Sequence, residues 1–233
     1  MHIFYTPDIE ADFYQLSESE SKHCIRVLRL QLGDTIYLVD GRGSLYTSVI
    51  VHDHPKHCKV EIKHKEEEYR KRNYHIHIAM APTKNIERFE WFLEKATEIG
   101  IDEITPLLCD NSERKIIKPE RLNKVIEAAM KQSMSAYHPR LNDIEIFRSF
   151  VKKERSALSL IAHCYESEKS LLKKSGINQS NVLICIGPEG DFSTDEVLKA
   201  KANGFTEISL GDARLRTETA GIFACSTVAL INQ

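Results

Sequence analysis

The chain has 233 residues, 42% of them hydrophobic and 28% charged, with a formal net charge of −2. That length can bury a core and accommodates a small domain joined to a larger one, and the mixed composition excludes a disordered or low-complexity chain. The near-neutral balance excludes a nucleic-acid footprint spread over the whole surface, so any such contact must come from a local patch.

Residues 111–155 are the more basic stretch, with eleven Lys/Arg against six Asp/Glu. The segment MHIFYTPDIEADF lacks the basic start and apolar core of a signal peptide, and no apolar run approaches the ~20 residues that span a bilayer. Cysteines 24, 58, 109, 164, 185 and 225 form no CxxC pair, and several sit in apolar runs. This pattern predicts small buried hydrophobes in a reducing, cytoplasmic setting.

In chain order, HIFY, DTIYLVD, GSLYTSVIV and KVEIK predict strands of a small β-barrel over residues 1–62, punctuated by DGRG (40–43) and HDHP (52–55). KHCIRVLRL (22–30) predicts a short helix that would place Arg26 and Arg29 on one side. HDHPKHC (52–58) holds three histidines and a cysteine, but its spacing fits no zinc pattern and predicts an exposed polar turn. The charge run KHKEEEYRKRN (63–73) is poor packing material and marks a boundary, giving domains 1–72 and 73–233.

Beyond it the rhythm changes to alternating strands and helices. Strands are predicted at 75–80, 103–109, near 157–163, 181–186 and 206–210. Helices are predicted at 85–100, 119–136, near 166–174, 194–203 and 218–231. Pro119 suits a first helical turn and Gly100 a helix end. Trp91, Phe92 and Leu93 read as helix core, and His75 and His77, alternating on a strand, as packed side chains rather than ligands. The alternation predicts an α/β domain with a largely parallel sheet.

The chemistry-bearing segments lie near the C-terminus. IGPEGDFS (186–193) follows the apolar NVLICI, and its glycines would let backbone groups approach a ligand. Ser193 or Thr194 would cap the next helix. LGDARLRTETA (210–220) follows a second strand end; Thr217 and Thr219 could cap the last helix, and Glu218 could cap or pair with an arginine. Two such loops at neighbouring strand ends can form one pocket, although any strand-to-helix connection favours Gly and Pro.

These two segments, with Trp91 and EKATEIGIDEITP and with HCIRVLRLQLGD near the N-terminus, resemble the bacterial 16S ribosomal RNA uridine-N3 methyltransferase family over essentially the full chain. The resemblance implies a SPOUT-class α/β domain with a deep trefoil knot, an N-terminal PUA-like β-barrel that binds RNA, and a homodimer. It implies S-adenosylmethionine as cofactor, held by Ile186, Gly187, Pro188, Glu189, Gly190, Leu210, Gly211, Leu215, Arg216, Thr217, Thr219 and Ala220. It also implies a uridine of small-subunit ribosomal RNA as the target, with neither metal nor membrane required.

Uridine N3 must lose its proton, so a cation beside the developing anion is expected, and Arg114 and Arg216 are the candidates. Arg26 and Arg29 are candidates for the RNA backbone. The chain departs from many relatives at Asp191, where they carry a further glycine, and at SMSAYHP, where they often carry a basic residue. The rival readings are a related methyltransferase acting on tRNA or a ribose hydroxyl, a non-catalytic RNA-binding or ribosome-assembly factor, and a phosphate-binding enzyme, the last weakened by the missing P-loop lysine.

Overall fold

The computed structural model describes residues 2–178 and 180–233. The chain divides into two units: one runs from the N-terminus to Lys71 and takes back Met130–His138, and the other comprises Arg72–Ala129 and Pro139–Gln233.

The first unit holds strands β1 (Ile3–Tyr5) and β2 (Phe13–Gln15), helix α1 (Glu18–Lys22), and strands β3 (Thr35–Val39), β4 (Leu45–His52) and β5 (Lys59–Glu66). The sheet runs β1-β3-β4-β5-β2, with β1 parallel to β3 and the other pairs antiparallel. Its core is Phe4, Leu16, Ile36, Leu38, Ile50 and Val60, all buried. The period-two pattern of β3, with Ile36 and Leu38 inward, is what a sheet with one wet face requires. Strand β2 was not predicted: at three residues, with Phe13 exposed, it shows no readable alternation.

The helix predicted over 22–30 differs from the observed one. Helix α1 is capped by Ser17, whose hydroxyl accepts from the Glu20 amide, and it widens into a π-helical turn over His23–Val27. Leu28 N–H reaches back to the His23 carbonyl at 2.9 Å, closing that turn, and Arg29 then adopts φ +57°. Arg26 is in the wide turn and Arg29 beyond it, so helical spacing does not relate them. The charge run also packs better than expected, since β5 extends through Glu66 and Tyr69 lies against Val39 and Leu45.

The second unit comprises β6 (Ile76–Met80), α2 (Ile86–Ile99), β7 (Glu103–Leu108), α3 (Pro119–Gln132, whose last three residues fall in the first unit), β8 (Arg140–Leu141), β9 (Glu145–Ile146), α4 (Phe147–Phe150), β10 (Leu158–Ala162) and β11 (Ser170–Leu171). It continues with β12 (Val182–Ile186), α5 (Thr194–Ala202), β13 (Thr206–Ser209) and α6 (Thr217–Ile231). An eight-stranded sheet runs β11-β13-β10-β12-β6-β7-β8, with β9 also on β7, and every ladder is parallel.

The sheet is covered on both faces, as parallel sheets are. Alternate residues of β12 divide between two cores. Val182, Ile184 and Ile186 meet Phe89, Phe92, Leu93, Ala224 and Val228 of α2 and α6. Leu183 and Cys185 meet Phe147, Phe192 and Val197.

Helix α2 matches its prediction because its signals are local: Asn85 accepts from the Glu87 amide at the start, and Gly100 adopts a left-handed φ of +106° at the end. Phe92 and Leu93 are core, but Trp91 is 42% exposed, since its helical position turns it outward. The helix predicted to Ala136 stops at Gln132, because Met134 turns left-handed at φ +58°. The helix predicted near 166–174 is replaced by an irregular loop, β11 paired to β13, and a single 3-10 turn over Leu172–Lys174. There Lys169 Nζ bonds the carbonyls of His163 and Tyr165, so tertiary bonds displace helical ones.

Candidate active site

The site follows from strand register. Met80 pairs with Ile186, Ile186 with Ala162, and Ala162 with Ile208, so β6, β12, β10 and β13 end almost flush at their C-terminal edges. In parallel α/β sheets that edge, at a topological switch, is where ligands bind. The strand order puts β12 between β6 and β10, so the loops after β10, β12 and β13 leave from three adjacent strands.

Together these loops line a cavity of about 780 Å³, within the usual size range for a cofactor site. Ile186, Gly187, Pro188, Glu189 and Gly190 form one wall; Leu210, Gly211, Leu215, Arg216, Thr217 and Ala220 form another. Of the residues predicted to hold a cofactor, only Thr219 is not on the lining. The third wall, His163, Cys164, Tyr165 and Lys169, was missed. Its only trace in the sequence is its place after an apolar strand, because the adjacency of β10 to β12 and β13 is tertiary.

The glycines are required chiefly by the protein itself. A Cβ on Gly187 would lie 3.0 Å from the Phe192 backbone nitrogen, and one on Gly190 3.2 Å from the Asn111 Cβ. Gly211, at φ +120° with open space around it, is needed for its conformation.

Helix α5 starts with a reciprocal box: Ser193 Oγ accepts from the Glu196 amide and Glu196 accepts from Ser193 N–H. Buried Glu196 also accepts from the Asp110 amide at 2.9 Å, drawing the segment after β7 toward this loop. Asp110 takes hydrogen bonds from Arg148 and Ser193, which hold its carboxyl below the usual range.

Helix α6 starts differently from the prediction. Arg216 occupies the cap position without a side-chain capping bond, and Thr217 lies buried in the first turn. Glu218 is buried as well, with Arg88 3.9 Å away and its Oε2 without a hydrogen-bond partner among the described residues.

Arg114 and Arg216 occupy different surroundings. Arg114 is not on the cavity lining; its Nε and Nη2 donate to the carbonyls of Thr83 and Lys84. The Lys84 amide donates to Glu189 Oε1 at 2.9 Å, so Arg114 reaches the cavity wall through this loop. Arg216 is exposed at the cavity and has no ion pair or hydrogen bond from its guanidinium among the described residues.

His163, at the end of β10, is buried, and its Nε2 lies 3.0 Å from Glu207 Oε1. Burial, with the charge of Lys169, holds its pKa below the usual imidazole value. Glu207 also takes Ser167 Oγ–H and the Lys201 ammonium.

In the first unit Arg26 and Arg29 are exposed near the uncovered apolar side chains Val27 and Leu32. His52, His54 and His57 stack in the β4–β5 turn. No group of three or more His, Cys, Asp or Glu among the described residues is arranged to hold a metal ion. No helix among them is long and apolar enough to cross a membrane.

The lining fits S-adenosylmethionine. Apolar Ile186, Leu210 and Leu215 suit the flat faces of an adenine, and backbone groups of the glycine loops suit its edges. The carboxylates of Glu189 and Asp212 suit a cationic sulfonium and ammonium.

Comparison with known proteins agrees. The model of an RNA methyltransferase domain matches residues 70–229, and that of an RNA methyltransferase PUA domain matches residues 16–63. A "probable rRNA-methyltransferase" from Porphyromonas gingivalis is 40% identical, with a TM-score of 0.91 over 100% of this chain and 98% of that one. Ribosomal RNA small subunit methyltransferase E from Neisseria gonorrhoeae, solved bound to S-adenosylmethionine, is 25% identical, with a TM-score of 0.86 over 100% and 98%. The protein of the same name from Rickettsia conorii is 29% identical over 93% of this chain and 89% of its own. With the family model spanning the whole parallel sheet and the loops that line its cavity, this chain belongs to the RNA methyltransferase family.

Proposed function

We propose that this chain transfers a methyl group from S-adenosylmethionine to N3 of a uridine in the 16S ribosomal RNA of the small subunit. The observation that carries the reading is the single cavity built by IGPEGDFS and LGDARLRTETA at flush strand ends, in a chain similar along its length to small-subunit rRNA methyltransferases.

When bound, S-adenosylmethionine supplies a methyl group activated by a cationic sulfonium. The chain's own residues do the rest. Ile186–Gly190 and Leu210–Ala220 hold the cofactor, and the apolar side chains keep water from the reacting centre. Arg216 stands beside the uracil and stabilises the negative charge that develops as N3 loses its proton. Its guanidinium, unpaired among the described residues, favours that role. Arg114, with two donors already committed to carbonyls, supports the wall through Lys84 and Glu189.

Residues 1–72 serve as the PUA-like RNA-binding domain, with Arg26 and Arg29 on the phosphate backbone, and residues 73–233 as the SPOUT domain. The trefoil knot is part of this reading, and in the sheet β12 lies between β6 and β10. A homodimer is supported by apolar side chains left uncovered on α6, Phe223 at 44% and Leu230 at 74% exposed. A cytoplasmic location follows from a ribosomal substrate.

The test is nucleoside mass spectrometry of 16S RNA from cells with and without the gene, followed by methylation of the unmodified RNA with purified protein. Loss of N3-methyluridine and its restoration in vitro are expected. Unchanged N3-methyluridine, or transfer to tRNA or a ribose hydroxyl instead, would sink the proposal.

A further inference from the structure

Asp191 is a non-glycine residue at φ +63°, a left-handed conformation that costs an L side chain more than a glycine. Its carboxylate is engaged on two sides. Oδ1 accepts from the neighbouring Phe192 amide at 2.8 Å. Oδ2 accepts from the Cys164 amide at 2.7 Å, across 27 residues of sequence, in the loop after β10. Asp191 and Cys164 both line the cavity.

The surrounding bonds bear on the same junction. Tyr165 Oη–H donates to the Phe192 carbonyl at 2.7 Å, a second tie between the two loops. Asn111 donates to the Asp191 carbonyl at 3.1 Å and fixes the turn from the other side. The loop after β10 has no helix to stiffen it, and on its far side Glu207 of β13 holds His163 and Ser167.

We propose that Asp191 is a positioning residue whose carboxylate clamps the loop after β10 to the glycine turn after β12 and thereby sets the width of the cofactor cavity. The left-handed backbone aims the carboxylate across the gap, and a charge-assisted bond to an amide retains the strained conformation. The loop after β10 thus becomes part of the cofactor site without donating a residue from either recognised motif. The inference rests on the cofactor reading above.

The test compares Asp191→Gly and Asp191→Asn with the parent protein in three measurements: calorimetric affinity for S-adenosylmethionine, hydrogen exchange of the Cys164 amide without cofactor, and unfolding temperature. Glycine relieves the backbone while removing both acceptors. It is expected to weaken cofactor binding by about ten-fold or more, to speed exchange at Cys164, and to lower the unfolding temperature by less than about 3 °C. Asparagine, which keeps one acceptor oxygen, restores part of both the affinity and the protection.

Unchanged affinity in Asp191→Gly, or weakened affinity with Cys164 exchange unaltered, overturns the clamp. If glycine unfolds the protein, asparagine with parent-like affinity and exchange overturns it equally. Absence of binding by the parent protein would instead remove the cofactor reading, while Cys164 exchange in cofactor-free protein would still report on the clamp.

Discussion

Asn111 donates its side-chain amide to the carbonyl oxygens of Gly190 and Asp191, both at 3.1 Å, so the segment after β7 grips the glycine turn from behind. A Cβ on Gly190 would close on that same Asn111. The turn's shape is therefore set by a neighbour 79 residues away in sequence. Asn111→Ala frees two carbonyls at a partly exposed site, where water replaces the bonds, so stability should fall by only about 1 kcal/mol. Cofactor affinity should fall by several-fold. Isothermal calorimetry alongside urea unfolding separates the two effects, and an affinity equal to the parent's would show that the turn holds its shape alone.

Gly221 reports on packing rather than chemistry. An added Cβ would lie 2.7 Å from the Phe92 ring and 2.9 Å from Met80 Sδ, within the core joining α2 and α6. Gly221→Ala improves helix propensity but overpacks that core, and the clash should prevail, destabilising by about 1–3 kcal/mol. Thermal unfolding of the variant decides it; a raised midpoint would mean that Phe92 shifts freely.

The two arginines should separate kinetically. Arg216→Ala should lower the methylation rate by about 10- to 100-fold, or roughly 1.4–2.8 kcal/mol of transition-state stabilisation. Arg114→Ala should act mainly on cofactor affinity, by loosening the Thr83–Lys84 loop that bonds Glu189. Single-turnover rates at saturating cofactor would distinguish them, and equal losses from both variants would contradict the assignment.

Stability should fall in acid partly because of His77. Its Nε2 lies 2.8 Å from Thr105 Oγ1 and its side chain is only 13% exposed, so burial pushes its pKa down to about 4. Between pH ~6.5 and ~4 the unfolded chain takes up a proton that the folded one refuses, and stability is lost as pH falls. The full window is worth on the order of 3 kcal/mol. Glu103 works in the same direction lower down. Burial tends to raise its pKa, but the Asn142 amide and the two histidines outweigh that and hold it below the usual range, so its contribution is lost as pH falls further. Urea midpoints from pH 7 to 4 should slope less steeply for His77→Gln, and an identical slope would rule His77 out as the source.

Local physics made much of this protein legible in the chain alone. Asn85 and Gly100 bound α2 because caps act within a few residues, and the continuous apolar run of β12 announces a strand buried on both faces. IGPEGDFS and LGDARLRTETA stood out because a tight turn at a strand end constrains residue type at each position. Tertiary structure decided the rest. Trp91 faces outward because three consecutive helical residues cannot all meet one core, while Arg29 sits past a π turn and 166–174 is no helix because tertiary contacts outcompete local preference there. The third wall, His163 to Lys169, joins the site only because β12 inserts beside β10, and Asp191 reaches Cys164 only there. Strand adjacency across such distances is a global packing outcome, and no local pattern of residues encodes it.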